Sequence, residues 1–262
     1  MFFYLWFFIN RGIPSAGCHS HNCIYLCPMA QKKLQRFSDI KTFSNVLEYP
    51  PNMQGQWKGF FENDNPIILE LACGRGEYTI GLAKLFTHRN FIGIDVKGNR
   101  MYIGAKKGLA ENISNAAFLR TQIEKLPDYF VAGEVDEIWI TFPDPQLRTS
   151  KAKKRLTHPR FLRLYQQVLK SSGRIHLKTD SPALYHFTKR VIELYHLTIV
   201  EDCSNVYVQD TVKPELKIKT HYESLDIAQS KKIYYLQFML PGEIKNIDQE
   251  LQEILKNEEQ AD

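Results

Sequence analysis

PIILELACGRGEYTIGLAKLF, residues 66–86, joins a continuous apolar run to an amphipathic one through a turn carrying two glycines. The run is short enough for a fully buried strand, and Tyr78, Leu82, Leu85 and Phe86 then recur on one helical face. Gly74 and Gly76 allow a tight turn and a close approach of a ligand to the backbone, while Glu70 sets a carboxylate at the strand's end. Strand, glycine turn, helix is the opening unit of an open α/β sheet, and ligands of such sheets bind beyond the carboxyl ends of the strands.

The same alternation continues outward. NFIGIDV reads as a second strand and RMYIGAKKGLAENI as a second helix, and NAAFLRT, VDEIWITF and GRIHLKT are further strands. Between these last three lie a short helix near Ile123–Phe130 and a longer one from Pro159 to Leu169, for which Thr157 is the expected N-cap. HLTIVED and KKIYYLQFML follow without a long helix between them, so the last strand is expected to run antiparallel beside its neighbour. The pattern predicts an α/β, Rossmann-like fold: a mostly parallel seven-stranded sheet with an antiparallel last strand and helices on both faces.

A chain of 262 residues with 44% hydrophobic content can bury one core of this kind. Residues 61–241 form the expected domain, preceded by a basic arm at 29–60 and followed by an acidic helix at 242–262. Residues 1–28 differ in composition from everything after Met29 and read as a disordered or non-native extension; MFFYLWFFIN is too short to span a bilayer. CHSHNCIYLC, with three of the five cysteines and two histidines, hints at zinc but matches no paired C-x-x-C framework, and the widely separated Cys73 and Cys203 fit reduced thiols of a cytosolic protein. The expectation is a cytoplasmic monomer without membrane attachment. The net charge of +5 is modest, but Lys151, Lys153, Lys154, Arg155, Arg160 and Arg163 crowd one segment, which suggests a polyanionic partner gripped through its phosphates.

The acid at Glu70 separates two ligand classes. A dinucleotide site presents a bare helix N-terminus to pyrophosphate, usually through G-x-G-x-x-G, whereas here the third glycine position is Thr79 and a carboxylate stands guard. A ligand with an ammonium and a sulfonium, such as S-adenosylmethionine, suits that charge better. Asp95, at the end of the second strand, is placed to take ribose hydroxyls. ELACGRG resembles the acid-x-glycine-x-glycine-x-glycine loop of class I methyltransferases, with Ala72 where the first glycine usually stands. That fold would bring Gln122 to the adenine and set the fourth strand beside the first. Asp144, held between Pro143 and Pro145, would then project towards the transferable methyl as the candidate catalytic group.

FPDP, KKRLTHPRFL, HLKTD and THYE occur in that order before the final strand, and together they resemble the bacterial tRNA (guanine-N7-)-methyltransferase family from about Met29 to Leu240. The resemblance implies tRNA as partner and S-adenosylmethionine as cofactor, with Glu70, Gly74, Gly76, Asp95, Gln122 and Asp144 on the cofactor side. It implies that Arg148, Asp180, Thr220, His221, Tyr222 and Glu223 meet the substrate, beside the phosphate-gripping Lys151, Lys153, Lys154 and Arg155. Gln146 and Leu147 depart from the aromatic-containing sequence common after FPDP in that family. Asp180 and Glu223 are candidate acceptors for the guanine's N–H groups, and Phe142 or Tyr222 is the candidate stacking ring. Two rivals remain: a class I methyltransferase for another RNA base or a protein, and a non-catalytic RNA-binding module of the same fold.

Overall fold

The computed structural model describes residues 28–208, 211–224 and 232–261. The extension expected at 1–28, with its cysteine and histidine cluster, lies outside them but for Pro28. Five parallel strands form the centre: β2 (Ile67–Leu71), β3 (Asn90–Asp95), β4 (Ala116–Arg120), β5 (Val135–Thr141) and β6 (Leu169–Thr179). Strand β1 (Val46–Glu48) adds to the β4 edge, and β7 (Thr198–Cys203) and β8 (Tyr234–Met239) complete the order β1-β4-β3-β2-β5-β6-β8-β7. The α/β class and the antiparallel end are as the pattern predicted, and the sheet has eight strands rather than seven. The extra strand is VLE, three half-buried residues with no alternation to betray it.

Helices α3 (Glu77–Leu85) and α4 (Gly98–Ala110) cover one face with a core that includes Ile68, Tyr78, Phe118, Trp139 and Tyr235. Helices α5 (Pro159–Gln166) and α6 (Pro182–Leu194) cover the other with Leu69, Ile138, Leu162, Leu177 and Leu236. The two sets alternate along β2 and β5, the period of strands buried on both sides. Burying some fifty apolar side chains this way is the chief stabilising term.

Three expectations gain detail. The basic arm at 29–60 is packed on the domain: α1 (Pro28–Asp39) lies on α4, Ile40 is buried, and Trp57 of α2 (Trp57–Phe61) stacks on Phe130 at 5.2 Å and donates its indole N–H to the Tyr129 carbonyl. The cap of α5 is His158, whose Nδ1 accepts from the Arg160 amide at 3.1 Å; Thr157 is buried, its hydroxyl paired with that of Thr188. The acidic helix α8 (Asp248–Ala261) docks through buried Leu251 and Leu255 and a 2.6 Å ion pair between Arg163 and Asp248, so Arg163 braces the C-terminus.

Candidate active site

Three left-handed residues shape the first loop: Ala72 at φ 55°, Gly74 at 57° and Gly76 at 72°. Ala72 carries a strain of roughly 1–2 kcal/mol that glycine would escape. At Gly76 no side chain fits at all, because a Cβ would stand 2.4 Å from the Phe118 ring. Glu70 lies buried behind this loop. Its carboxylate accepts from the Thr79 amide at 2.8 Å, from the Thr79 hydroxyl, and from the Thr141 hydroxyl at 2.7 Å, tying β2, α3 and the end of β5 together. Burial pushes its carboxyl up to about 7, against the pull of those three donors. Asp95 takes the Gly74 amide on one oxygen and the Lys97 amide on the other, each at 2.9 Å. Gln122 is exposed just beyond β4.

β2 and β5 pair directly, Glu70 opposite Trp139, so the loop after β5 stands beside the first loop. Asp144 is exposed there, and its Oδ1 accepts from the Gln146 amide at 3.0 Å, closing a small turn. Phe142 and Gln146, on either side, are left-handed at φ 46° and 47°. Two non-glycine residues in this region within five positions mark a loop held in place by its surroundings.

At the end of β6, Lys178 sits opposite Thr141 and is fully buried, a position the sequence reading did not single out. Its ammonium donates to the Ile218 carbonyl at 2.9 Å and to the Glu223 carboxylate at 3.0 and 3.3 Å, and it lies 5.3 to 6.0 Å from the ring centres of Phe142, Tyr78 and Tyr207. Burial draws its pKa down while Glu223 holds it up. Glu223 is therefore turned inward, with the Tyr207 hydroxyl as a further donor, and does not face solvent as a guanine acceptor would. Thr220 is buried, its hydroxyl accepting from the Glu223 amide and starting α7 (His221–Ser224). His221 lines a cavity of about 280 Å³ with Arg36, Arg75 and Arg100. Tyr222 belongs to α7, and Asp180 follows β6 at the head of α6. The signal for Lys178 was its place near the end of GRIHLKT, a strand predicted for the middle of the sheet: a charge in a buried strand needs a partner.

Arg148, Lys151, Lys153 and Lys154 are exposed, the lysines on a 3-10 turn at Thr149–Lys154. Arg155 is not with them. It is buried, its guanidinium donates to the carbonyls of Pro145, Gln146 and Leu147 at 3.1 to 3.3 Å, and it lies 4.4 Å above the Phe187 ring. Its expected phosphate contact is therefore corrected: the charge faces the Asp144 loop.

Known proteins resemble this chain in sequence and in fold. A family model described as "Putative methyltransferase" matches residues 64–236. The tRNA (guanine-N(7)-)-methyltransferase of Porphyromonas gingivalis is 51% identical over 214 residues, covering 77% of this chain and 86% of that one. The chain belongs to the tRNA (guanine-N(7)-)-methyltransferase family. The family member of Bacteroides fragilis is 45% identical over 235 residues, covering 86% of this chain and 92% of its own. Among solved structures, a 30S ribosomal A1408 methyltransferase from an uncultured bacterium aligns with a TM-score of 0.54 over 71% of this chain and 93% of its own; at 22% identity it shares the fold. Family membership places this chain among methyltransferases, with the glycine turn and the FPDP loop side by side on the strands' carboxyl ends.

Proposed function

We propose that the chain transfers the methyl group of S-adenosylmethionine to N7 of a guanine in the variable loop of tRNA, giving 7-methylguanosine, and that it works in the cytoplasm. What carries this reading is the pairing of β2 with β5, which sets Asp144 beside the glycine turn in a chain 51% identical to a tRNA (guanine-N(7)-)-methyltransferase. The residues present suit the cofactor. At Gly74 a Cβ would meet only the Ala72 carbonyl oxygen, at 4.0 Å, so the turn leaves room for a ligand against its backbone. Asp95 keeps lone pairs for hydroxyl groups after accepting its two amides, and Glu70, buried behind the turn, fixes the shape of that turn through Thr79 and Thr141. Bound there, the cofactor supplies an electrophilic methyl on a sulfonium.

Guanine N7 carries a free lone pair and no proton, so the protein's task is alignment rather than proton removal. Asp144 would face the ring as it becomes cationic and stabilise the growing charge. Lys151, Lys153, Lys154 and Arg148 hold backbone phosphates beside that loop, and Asp180 orients the base. The test is methyl transfer from labelled S-adenosylmethionine to unmodified tRNA, followed by nucleoside analysis. Label in 7-methylguanosine is the expected result, and label on another atom or on protein alone overturns the reading.

A further inference from the structure

The Asp144 loop has few fastenings of its own: the Gln146 amide donates to Asp144, and the Phe142 amide to the Lys178 carbonyl. Pro143 and Pro145 carry no N–H, and the left-handed Phe142 and Gln146 at φ 46° and 47° would relax if the surroundings allowed. Its carbonyls at 145, 146 and 147 find their donors in one side chain: Arg155 Nε lies 3.2 Å from the Pro145 oxygen and 3.3 Å from that of Gln146, and Nη2 lies 3.1 Å from Gln146 and 3.3 Å from Leu147. A planar fork can serve three successive carbonyls in this way and a lysine cannot.

The base of the fork is equally fixed. Phe187 of α6 lies 4.4 Å beneath the guanidinium, and the Thr157 hydroxyl meets that of Thr188, also on α6, at 2.8 Å. Helix α6 starts at the Ser181 cap, whose hydroxyl accepts from the Leu184 amide, and Asp180 is the residue before that cap. Among the described residues no carboxylate forms an ion pair with Arg155. A buried cation held by carbonyls and a ring face, without a carboxylate partner among the described residues, is a costly way to stabilise a fold, and what the arrangement provides is a fixed separation between two acid-bearing loops.

We infer that Arg155 is a positioning residue which locks the Asp144 loop to α6, and so to Asp180, without touching RNA. The inference rests on the methyl-transfer reading of this site. Because it acts by geometry, its loss misplaces Asp144, and displacement by about 1 Å can cost on the order of a hundredfold in rate.

The experiment compares Arg155→Lys and Arg155→Met with the wild-type protein in kcat, KM for tRNA, the salt dependence of tRNA binding, melting temperature, and hydrogen exchange at the Gln146 amide, which is bonded to Asp144. Both variants should lose at least about tenfold in kcat, keep KM and the slope of log affinity against log salt, and exchange that amide about tenfold faster. A wild-type-like Lys variant beside a Met variant whose slope falls by about 0.7 to 0.9 would restore the phosphate contact and overturn the proposal. A lowered melting temperature with unchanged kcat below the transition would reduce Arg155 to scaffold and also overturn it. If the Met variant does not fold, the Lys variant decides on kcat and exchange alone. Wild-type protein that makes no 7-methylguanosine would refute the function instead, and exchange at the Gln146 amide would still read the lock.

Discussion

A carboxylate between two prolines loses little freedom when it must hold one direction, and Asp144 has in addition an amide of its own turn bound to it. If it works on the charge of the methylated ring, Asp144→Asn should lower single-turnover rate by roughly ten- to a thousandfold while leaving cofactor affinity intact; an unchanged rate would remove it from the chemistry. Glu70 offers a separate test through pH. Its folded-state pKa of about 7 stands above the ordinary 4.5, so as pH rises through that window the unfolded chain ionises first and the group subtracts stability, levelling off above 7. Ligand-free wild type should therefore lose melting temperature between about pH 5 and about pH 8 relative to Glu70→Gln. Parallel curves would show a carboxyl that titrates normally. Glu70, Asp95 and Asp144 were legible because acids at strand ends stand out in an apolar pattern. The inward turn of Arg155 was not, since a guanidinium in a run of lysines looks like its neighbours until the carbonyls it serves are folded against it.

At the scale of elements, the segment from Ile218 to Ser224 is fastened to the sheet by the Lys178 ammonium. Removing one partner of such a buried pair leaves the other charge stranded, so Lys178→Met should destabilise the protein by roughly 3–5 kcal/mol in urea unfolding, and Lys178→Met with Glu223→Gln should recover most of that. In the single variant KM for tRNA should rise more than kcat falls, because the loosened segment is the one implied to meet the substrate. Equal losses in single and double variants would mean that the pair is not coupled. The central strands and their helices were legible from period alone. β1 was not, being three residues long, and neither was the cap of α5, where His158 is a less usual acceptor than the Thr157 beside it.

At the scale of the molecule, charge is divided by role. Lys151, Lys153 and Lys154 point to solvent beside the Asp144 loop, and replacing two of them with alanine should flatten the slope of log tRNA affinity against log salt by about 1 to 2 units without moving the melting temperature. An unchanged slope would make the strip an ordinary solvated surface. Among the described residues no helix is long and apolar enough to cross a membrane. The strand order carries a consequence for how the protein comes into being. β7 pairs with β8, and β8 alone joins it to β6, in a register that sets Ile175 opposite Phe238. A nascent chain leaving the ribosome can assemble its six parallel strands early, but β7 has no strand to pair with until residues 234–239 have emerged. The segment holding Glu223 lies between those two strands in the chain and is fastened to Lys178 of β6, so a half-made chain can present its glycine turn and FPDP loop before this segment has emerged to close on the sheet.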